Sequence, residues 1–269
     1  MQPYLTRLHL FCTKGVFCIM PTAYQNFAYV YDKFMNNIPY EDWCNYLLTL
    51  LKEYGITKGN IVELGCGTGT LCKLIAQYNY NVTGIDNSKD MLSIASKKTK
   101  KDKNITLSLQ NMCQLILDDT LTYDAFYSLC DCMNYLLYDE ELLSTFQCVK
   151  HYLKHNGVFI FDLKTQYYYK EILGDQVFCD HQPDCSYTWE NSFYEEDHIN
   201  QYDLTLFVKE KNNLYRRFEE THHQKAHELS KIIDLLKEAG LEYVTVYDAF
   251  TDNAPGPTSE RIYVIAKNI

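Results

Sequence analysis

The sequence has little positive charge and nowhere collects it on a stripe. Lys and Arg number 25 against 35 Asp and Glu, a formal charge of −10. A chain that neutralises many phosphates needs a basic patch, so nucleic acid is not an expected partner. The one basic run, Lys97-Lys98-Thr99-Lys100-Lys101, closes a helix-like segment and reads as a solvated face at the negative end of that helix. No apolar run reaches the roughly 20 residues of a membrane span, so no membrane is expected either. The 11 cysteines are odd in number and contain no C-x-x-C pair, which disfavours a disulfide framework or a zinc site. Several, such as Cys72 and Cys148, sit in apolar runs and read as free, buried thiols in a reducing cytoplasm. Between Met1 and Met20, Lys14 interrupts any signal-like apolar region and no cleavage site follows. Helical periodicity begins after Met20-Pro21-Thr22. Residues 1–20 are therefore read as an extension, with Met20 as the functional start.

What is present is an alternation of periods. Hydrophobic residues make up 46% of the 269 and charged residues 22%, enough apolar content for one large folded unit. Two helical segments come first, one with Phe27, Val30, Tyr31 and Phe34, the next, after Pro39, with Trp43, Tyr46, Leu47, Leu50 and Leu51. Strands are then expected at 60–64, 81–86, 105–109, 125–129 and 158–162, separated by helices, with Ser88 as an N-cap and Asn156-Gly157 ending the helix before the fifth strand. Strand–helix alternation predicts an α/β fold with a doubly wound, seven-stranded and mostly parallel sheet. Residues 176–224 break the pattern. They are rich in Tyr, Phe, Thr and Trp with turns at Glu196-Asp197-His198 and Asn212-Asn213, and read as an antiparallel insertion of three or four strands. The α/β unit is then made of 21–175 and 225–269, and the insertion's edges offer a homodimer surface.

The chemistry concentrates in Glu63-Leu64-Gly65-Cys66-Gly67-Thr68-Gly69 and in Asp86. Small residues at a strand-to-helix turn let backbone approach a ligand, and an acid closing the next strand can accept both hydroxyls of a ribose. Together they predict a nucleoside-containing ligand at the C-terminal edge of the sheet. A dinucleotide fingerprint would carry its third glycine one place later, where Thr70 stands.

The run Val62-Glu63-Leu64-Gly65-Cys66-Gly67-Thr68-Gly69, with Gly84-Ile85-Asp86-Asn87-Ser88 after it, resembles the class I S-adenosylmethionine-dependent methyltransferases from about Tyr24 to the C-terminus. The opening Y-x-x-F-A-x-x-Y-D from Tyr24 to Asp32, with the later insertion, is similar to small-molecule enzymes such as sugar-amine N-methyltransferases and their uncharacterised bacterial relatives. The resemblance implies S-adenosylmethionine as cofactor, S-adenosylhomocysteine as product and a small-molecule N or O acceptor. It implies that Gly65, Cys66 and Gly67 line the methionine and ribose through backbone, and that Glu63 orients the loop or reaches the ammonium. Asp86 would hold the ribose diol, with Asn87 and Met91 flanking the adenine. Asn111 and Met112 stand where the family often has an adenine-binding Asp. Cys130 would lie beside the transferring methyl, and Tyr24 and Tyr31 would cap the cofactor.

Methyl transfer needs alignment above all, and a base only where the acceptor must lose a proton. Asp131 and Asn134, which follow the fourth strand, are the polar candidates for that role. In the insertion, His222 is a further candidate for acceptor recognition or proton removal. No metal is expected. Two other readings share the glycine turn: an NAD(P)-dependent oxidoreductase, and a non-catalytic S-adenosylmethionine-binding sensor whose insertion serves as an interface.

Overall fold

A computed structural model of the chain describes residues 28–35 and 38–269. The extension 1–20 with Met20, Tyr24 and Phe27 lies outside the described residues. The first described helix, α1 (Ala28–Phe34), is followed by α2 (Tyr40–Glu53), whose Trp43, Cys44, Leu47, Leu50 and Leu51 are buried at the spacing of one helical face. Five strands and three α-helices follow, and contrary to expectation no helix separates the third strand from the fourth: β1 (Gly59–Leu64), α3 (Thr70–Ile75), β2 (Tyr80–Asp86), α4 (Lys89–Lys98), β3 (Ile105–Leu109), β4 (Tyr123–Ser128), α5 (Asp139–Tyr152) and β5 (Leu153–Lys164). After the insertion come α6 (Leu229–Glu238), β10 (Glu242–Asp248) and β11 (Arg261–Lys267).

The seven-stranded sheet has the order β10-β11-β5-β4-β1-β2-β3. Strand β11 runs antiparallel to both β5 and β10, and the remaining pairs are parallel. Each face is covered. Val62, Phe126, Phe159 and Phe161 pack with Phe146 and Val149 of α5 and Ile232 and Leu236 of α6. Ile61, Tyr127, Val158 and Ile160 pack on the other side with Leu47 and Leu51 of α2 and Leu71 and Ile75 of α3. This two-sided burial is why Val158-Phe159-Ile160-Phe161 is continuously apolar rather than alternating. Because β1 sits between β4 and β2, chain order reverses there, and the crevice beyond its C-terminal end is where open α/β sheets bind ligands.

One helix boundary departs from expectation. Helix α5 stops at Tyr152, and Asn156, with φ of 63°, lies in the irregular start of β5, where the register against β4 slips between Tyr123 and Ala125. Its N–H bonds to Asn268 O at 2.7 Å, so the left-handed residue serves the junction with the C-terminus rather than a helix cap.

Strands β6 (Val177–Gln182), β7 (Cys185–Tyr194), β8 (Ile199–Lys209) and β9 (Tyr215–Lys225) form a second, wholly antiparallel sheet in sequential order. Val30 and Phe34 of α1 pack on its Cys185, Leu204 and Leu206. That helix also reaches α4 through Asp32, which pairs with Lys98 at 2.8 Å. Among the described residues no helix is long and apolar enough to cross a membrane.

Candidate active site

The turn leaving β1 holds Gly65, Gly67 and Gly69 at φ of 75°, 51° and 72°, a region where L side chains are strained. At Gly65 crowding adds to strain, since a β-carbon there would lie 2.5 Å from Cys132 Sγ. At Gly67 the same position meets nothing, because the turn faces an open cleft. The turn is bonded to the end of β2. Gly65 N and Cys66 N donate to Ile85 O at 2.8 and 2.9 Å, Gly67 N donates to Asp86 Oδ2 at 2.8 Å, and Gly69 N closes back on Cys66 O at 2.9 Å. Asp86 Oδ1 accepts from Ser88 N at 2.8 Å, so both carboxylate oxygens are fixed by backbone donors. Burial pushes the Asp86 carboxyl up, and the N–H groups of Ser88, Gly67 and Asn87 pull against that shift.

The cleft measures about 230 Å³. Tyr31, Glu63, Gly65, Cys66, Gly67 and Asp86 line it, as do Asn87, Met91, Asn111, Met112 and Cys130. The structure thus gathers into one cavity every cofactor candidate that falls within the described residues. It adds Tyr40, Thr68, Thr70, Gln110, Cys132, Tyr135 and Glu141. Sequence reasoning gave none of these a cofactor role, because each reaches the cleft from a turn or helix end, where periodicity carries no signal. Tyr40 hydrogen-bonds Tyr31. The basic run also departs from its expected reading. Lys98 is half-buried and donates to Thr68 Oγ1 at 2.9 Å and Thr70 Oγ1 at 2.6 Å, while Thr68 Oγ1 donates to Asp32 at 2.6 Å. A cation of that run therefore ties α1 to the glycine turn.

Beneath the turn, Glu63 is buried and accepts from Tyr127 OH at 3.0 Å. Burial pushes its carboxyl up from 4.5 to about 7, against the hydrogen bonds from Cys72 and Tyr127. The folded chain then holds a proton on Glu63 between those two values, where the unfolded chain has released it. Stability of the ligand-free protein is expected to fall as pH rises through that window. In Glu63→Gln that part of the slope should vanish, which urea unfolding at about pH 5 and about pH 8 would detect. An identical slope in the variant would remove Glu63 as its source.

The comparisons with known proteins agree with this geometry. A family profile described as a methyltransferase domain matches residues 61–157, from β1 into β5. A Geobacillus protein classed as a methyltransferase is 35% identical over 247 residues, covering 91% of this chain and 99% of its own. YqeM of Bacillus subtilis, also classed as a methyltransferase, is 35% identical over 245 residues, covering 91% and 96%. The chain belongs to the class I methyltransferase family. Its fold superposes on the crystal structure of a S-adenosylmethionine-dependent methyltransferase from Clostridium acetobutylicum with a TM-score of 0.80 at 27% identity, covering 91% of this chain and 99% of that one. A sugar N-methyltransferase from Streptoalloteichus, at 15% identity, shares the fold with a TM-score of 0.72, covering 94% and 97%.

In this methyltransferase none of the three residues expected to serve as catalytic groups lines the cleft, and Asp131 and Asn134 are held in structural bonds. Asp131 accepts from Arg261 Nη2 at 2.9 Å and Gln224 Nε2 at 2.9 Å, with Lys164 Nζ at 3.7 Å. Burial alone would raise its carboxyl, but Lys164 and Arg261 outweigh that and bring it down to about 2. A carboxylate so firmly ionised is a poor base near neutrality. Asn134 is fully buried and stitches β5 to β9, donating to Lys164 O at 3.1 Å and Lys225 O at 2.8 Å and accepting from Lys164 N at 3.0 Å. His222 is buried between Tyr135 and Tyr202, one residue removed from the cavity. The sequence could not reveal this because Arg261 and Gln224, which claim Asp131, lie about 130 and 93 residues away along the chain.

The same ion group shapes the cleft floor. Asp162, fully buried, takes the other arm of Arg261 and accepts from Cys130 N at 3.1 Å and Asp131 N at 2.9 Å. Cys130 and Asp131 are both left-handed, at φ of 64° and 56°, a costly pair for residues other than glycine. The guanidinium of Arg261 lies 4.7 Å from the ring centroid of Trp43 on α2. Among the described residues no group of side chains is arranged to hold a metal ion.

Proposed function

We propose that the protein transfers a methyl group from S-adenosylmethionine to a small, uncharged or cationic nitrogen or oxygen acceptor. The observation that carries this reading is the charge of the cleft. Its described lining contains the acids Asp86 and Glu141, with Glu63 buried and its carboxyl raised, and no Lys, Arg or His. In the glycine turn the N–H groups of residues 65, 66, 67 and 69 are already bonded within the protein. A pyrophosphate would bring two negative charges to these carboxylates and find few donors free to receive it. An adenosyl ligand without phosphate, whose reactive centre is a sulfonium cation, fits the same walls. This weighs against the NAD(P)-dependent alternative, and it makes carboxylate or phosphate acceptors poor candidates.

Each cleft residue has a definite share in the work. Asp86 is aimed by two backbone donors with lone pairs left to accept the ribose hydroxyls. Gly67, where no side chain obstructs approach, lets backbone close on the ligand. Glu63 reaches toward the ligand's ammonium, and Met91, Asn87, Asn111 and Met112 bound the base. Tyr31 and Tyr40 close the cavity from the N-terminal helices. Bound there, S-adenosylmethionine supplies an electrophilic methyl carbon, and the chain's task is to exclude water and hold the acceptor in line. Asp131, Asn134, Asp162 and Arg261 act as positioning residues for the cleft floor. The shared fold of the sugar N-methyltransferase is compatible with an amine acceptor.

Labelled-methyl transfer to a panel of amines, sugar amines, phenols, carboxylic acids and a short RNA tests this. Turnover confined to amines or hydroxyl compounds is the expected outcome. Preferred methylation of the acids or the RNA would overturn the acceptor class. Binding of S-adenosylhomocysteine with no turnover on any of them would favour the sensor reading.

A further inference from the structure

We propose that Tyr135, His222 and Glu220 form a proton relay leading from the acceptor end of the cleft, a role that rests on the methyl-transfer reading above. The inward-facing residues of β9 are Phe218, Glu220, His222 and Gln224, three polar side chains on the face of a strand that would ordinarily carry apolar ones. His222 is 2% exposed, and the Glu220 side chain 8%. The His222 ring stacks on Tyr202, its partner on β8, with centroids 5.1 Å apart. Its Nε2 lies 3.3 Å from Glu220 Oε2 and its Nδ1 lies 3.2 Å from Tyr135 OH. Tyr135 OH is in turn 2.7 Å from Tyr202 OH, and Tyr135 lines the cleft. Other ionisable groups that act on this chain are His223, on the opposite face of β9, and Asp131, Tyr168, Tyr169 and Cys132 around Tyr202. A buried acid–imidazole pair gives little net stability over an apolar pair of the same volume, so packing does not account for it.

The geometry assigns the protons. The Glu220 carboxyl oxygen 3.3 Å from Nε2 favours the imidazole tautomer with its proton there. Nδ1 then carries a lone pair and accepts from Tyr135 O–H, whose oxygen accepts from Tyr202 O–H. As the acceptor's lone pair forms its bond to the methyl carbon, the carbon–sulfur pair is left on sulfur. The acceptor's proton passes to Tyr135 oxygen while the Tyr135 proton moves to His222 Nδ1. The resulting imidazolium sits against the Glu220 carboxylate and returns its proton to solvent after product release. Among the residues lining the cleft, this gives Tyr135 a part that no carboxylate there is wired to play.

The test is nitrogen-15 NMR of the eight histidines in the full chain at about pH 8, above the ordinary imidazole range. His222 is assigned as the signal lost in His222→Gln. The relay requires His222 with the proton on Nε2 and a bare Nδ1 whose resonance moves in Tyr135→Phe. A proton on Nδ1 would overturn it, because that nitrogen could then take none from Tyr135. On an acceptor that wild type methylates, Tyr135→Phe should lower kcat about 100-fold while leaving the Kd for S-adenosylhomocysteine within about twofold; an unchanged kcat would equally overturn it. The two readings fail separately. Absence of S-adenosylhomocysteine binding counts against methyl transfer, whereas an Nδ1–H imidazole counts against the relay alone.

Discussion

Asp86→Ala weakens S-adenosylhomocysteine binding about 100-fold or more. The substitution removes a charge-assisted acceptor for the ribose, about 1.5–3 kcal/mol in itself. It also releases Gly67 N and Ser88 N, the two donors that the carboxylate now holds at 2.8 Å each. The glycine turn loses its tether to β2 at the point where it meets the ligand, so the loss should exceed that of an ordinary hydrogen bond. Asp86→Asn separates the effects, because its side-chain oxygen can keep one backbone donor while the charge is gone. The expected order of Kd by calorimetry is wild type, then Asn, then Ala. Equal affinity in all three would take Asp86 out of the ligand's reach.

Arg261→Met should be the most damaging single substitution for the fold. Arg261 bridges Asp131 and Asp162, and Asp162 is fully buried. Removing one partner of a buried ion group leaves the others uncompensated, at about 3–5 kcal/mol, a large part of the 5–15 kcal/mol by which such proteins are stable. Cys130 and Asp131 then lose part of the scaffold that holds them left-handed at the cleft floor. Urea unfolding should show the loss. Arg261→Met combined with Asp131→Asn and Asp162→Asn should recover part of it, since fewer buried charges remain unpaired. A triple variant as unstable as the single one would show that the cost lies in packing on Trp43 and not in charge.

What the sequence made legible follows from the range of each interaction. The strand–turn–helix unit from Asn60 to Ile75 and the acid at Asp86 are local, and the periodicity of their neighbours placed them together before any coordinates. The insertion was visible because β7, β8 and β9 are joined by short hairpins, so their pairing partners are near in sequence. The chemistry around Asp131 was not, because its character is set by Lys164, Gln224 and Arg261, three cations and donors supplied by β5, β9 and β11. A carboxylate ending an apolar strand announces that it needs a partner; it does not say whether the partner is a substrate or a guanidinium. His222 shows the intermediate case. The alternation of β9 puts it and Glu220 on one face, yet only the fold reveals that Tyr135, from the turn after β4, stands between it and the cleft. Asn156 misled for a simpler reason, since a left-handed Asn serves an irregular strand start as readily as a helix end.

The most direct measurement is a calorimetric titration of the wild-type chain with S-adenosylhomocysteine and, separately, with NADH. The acidic cleft and the internally bonded glycine turn predict one S-adenosylhomocysteine bound per chain and no heat from NADH. Saturable NADH binding, with S-adenosylhomocysteine giving none, would contradict the account at its root.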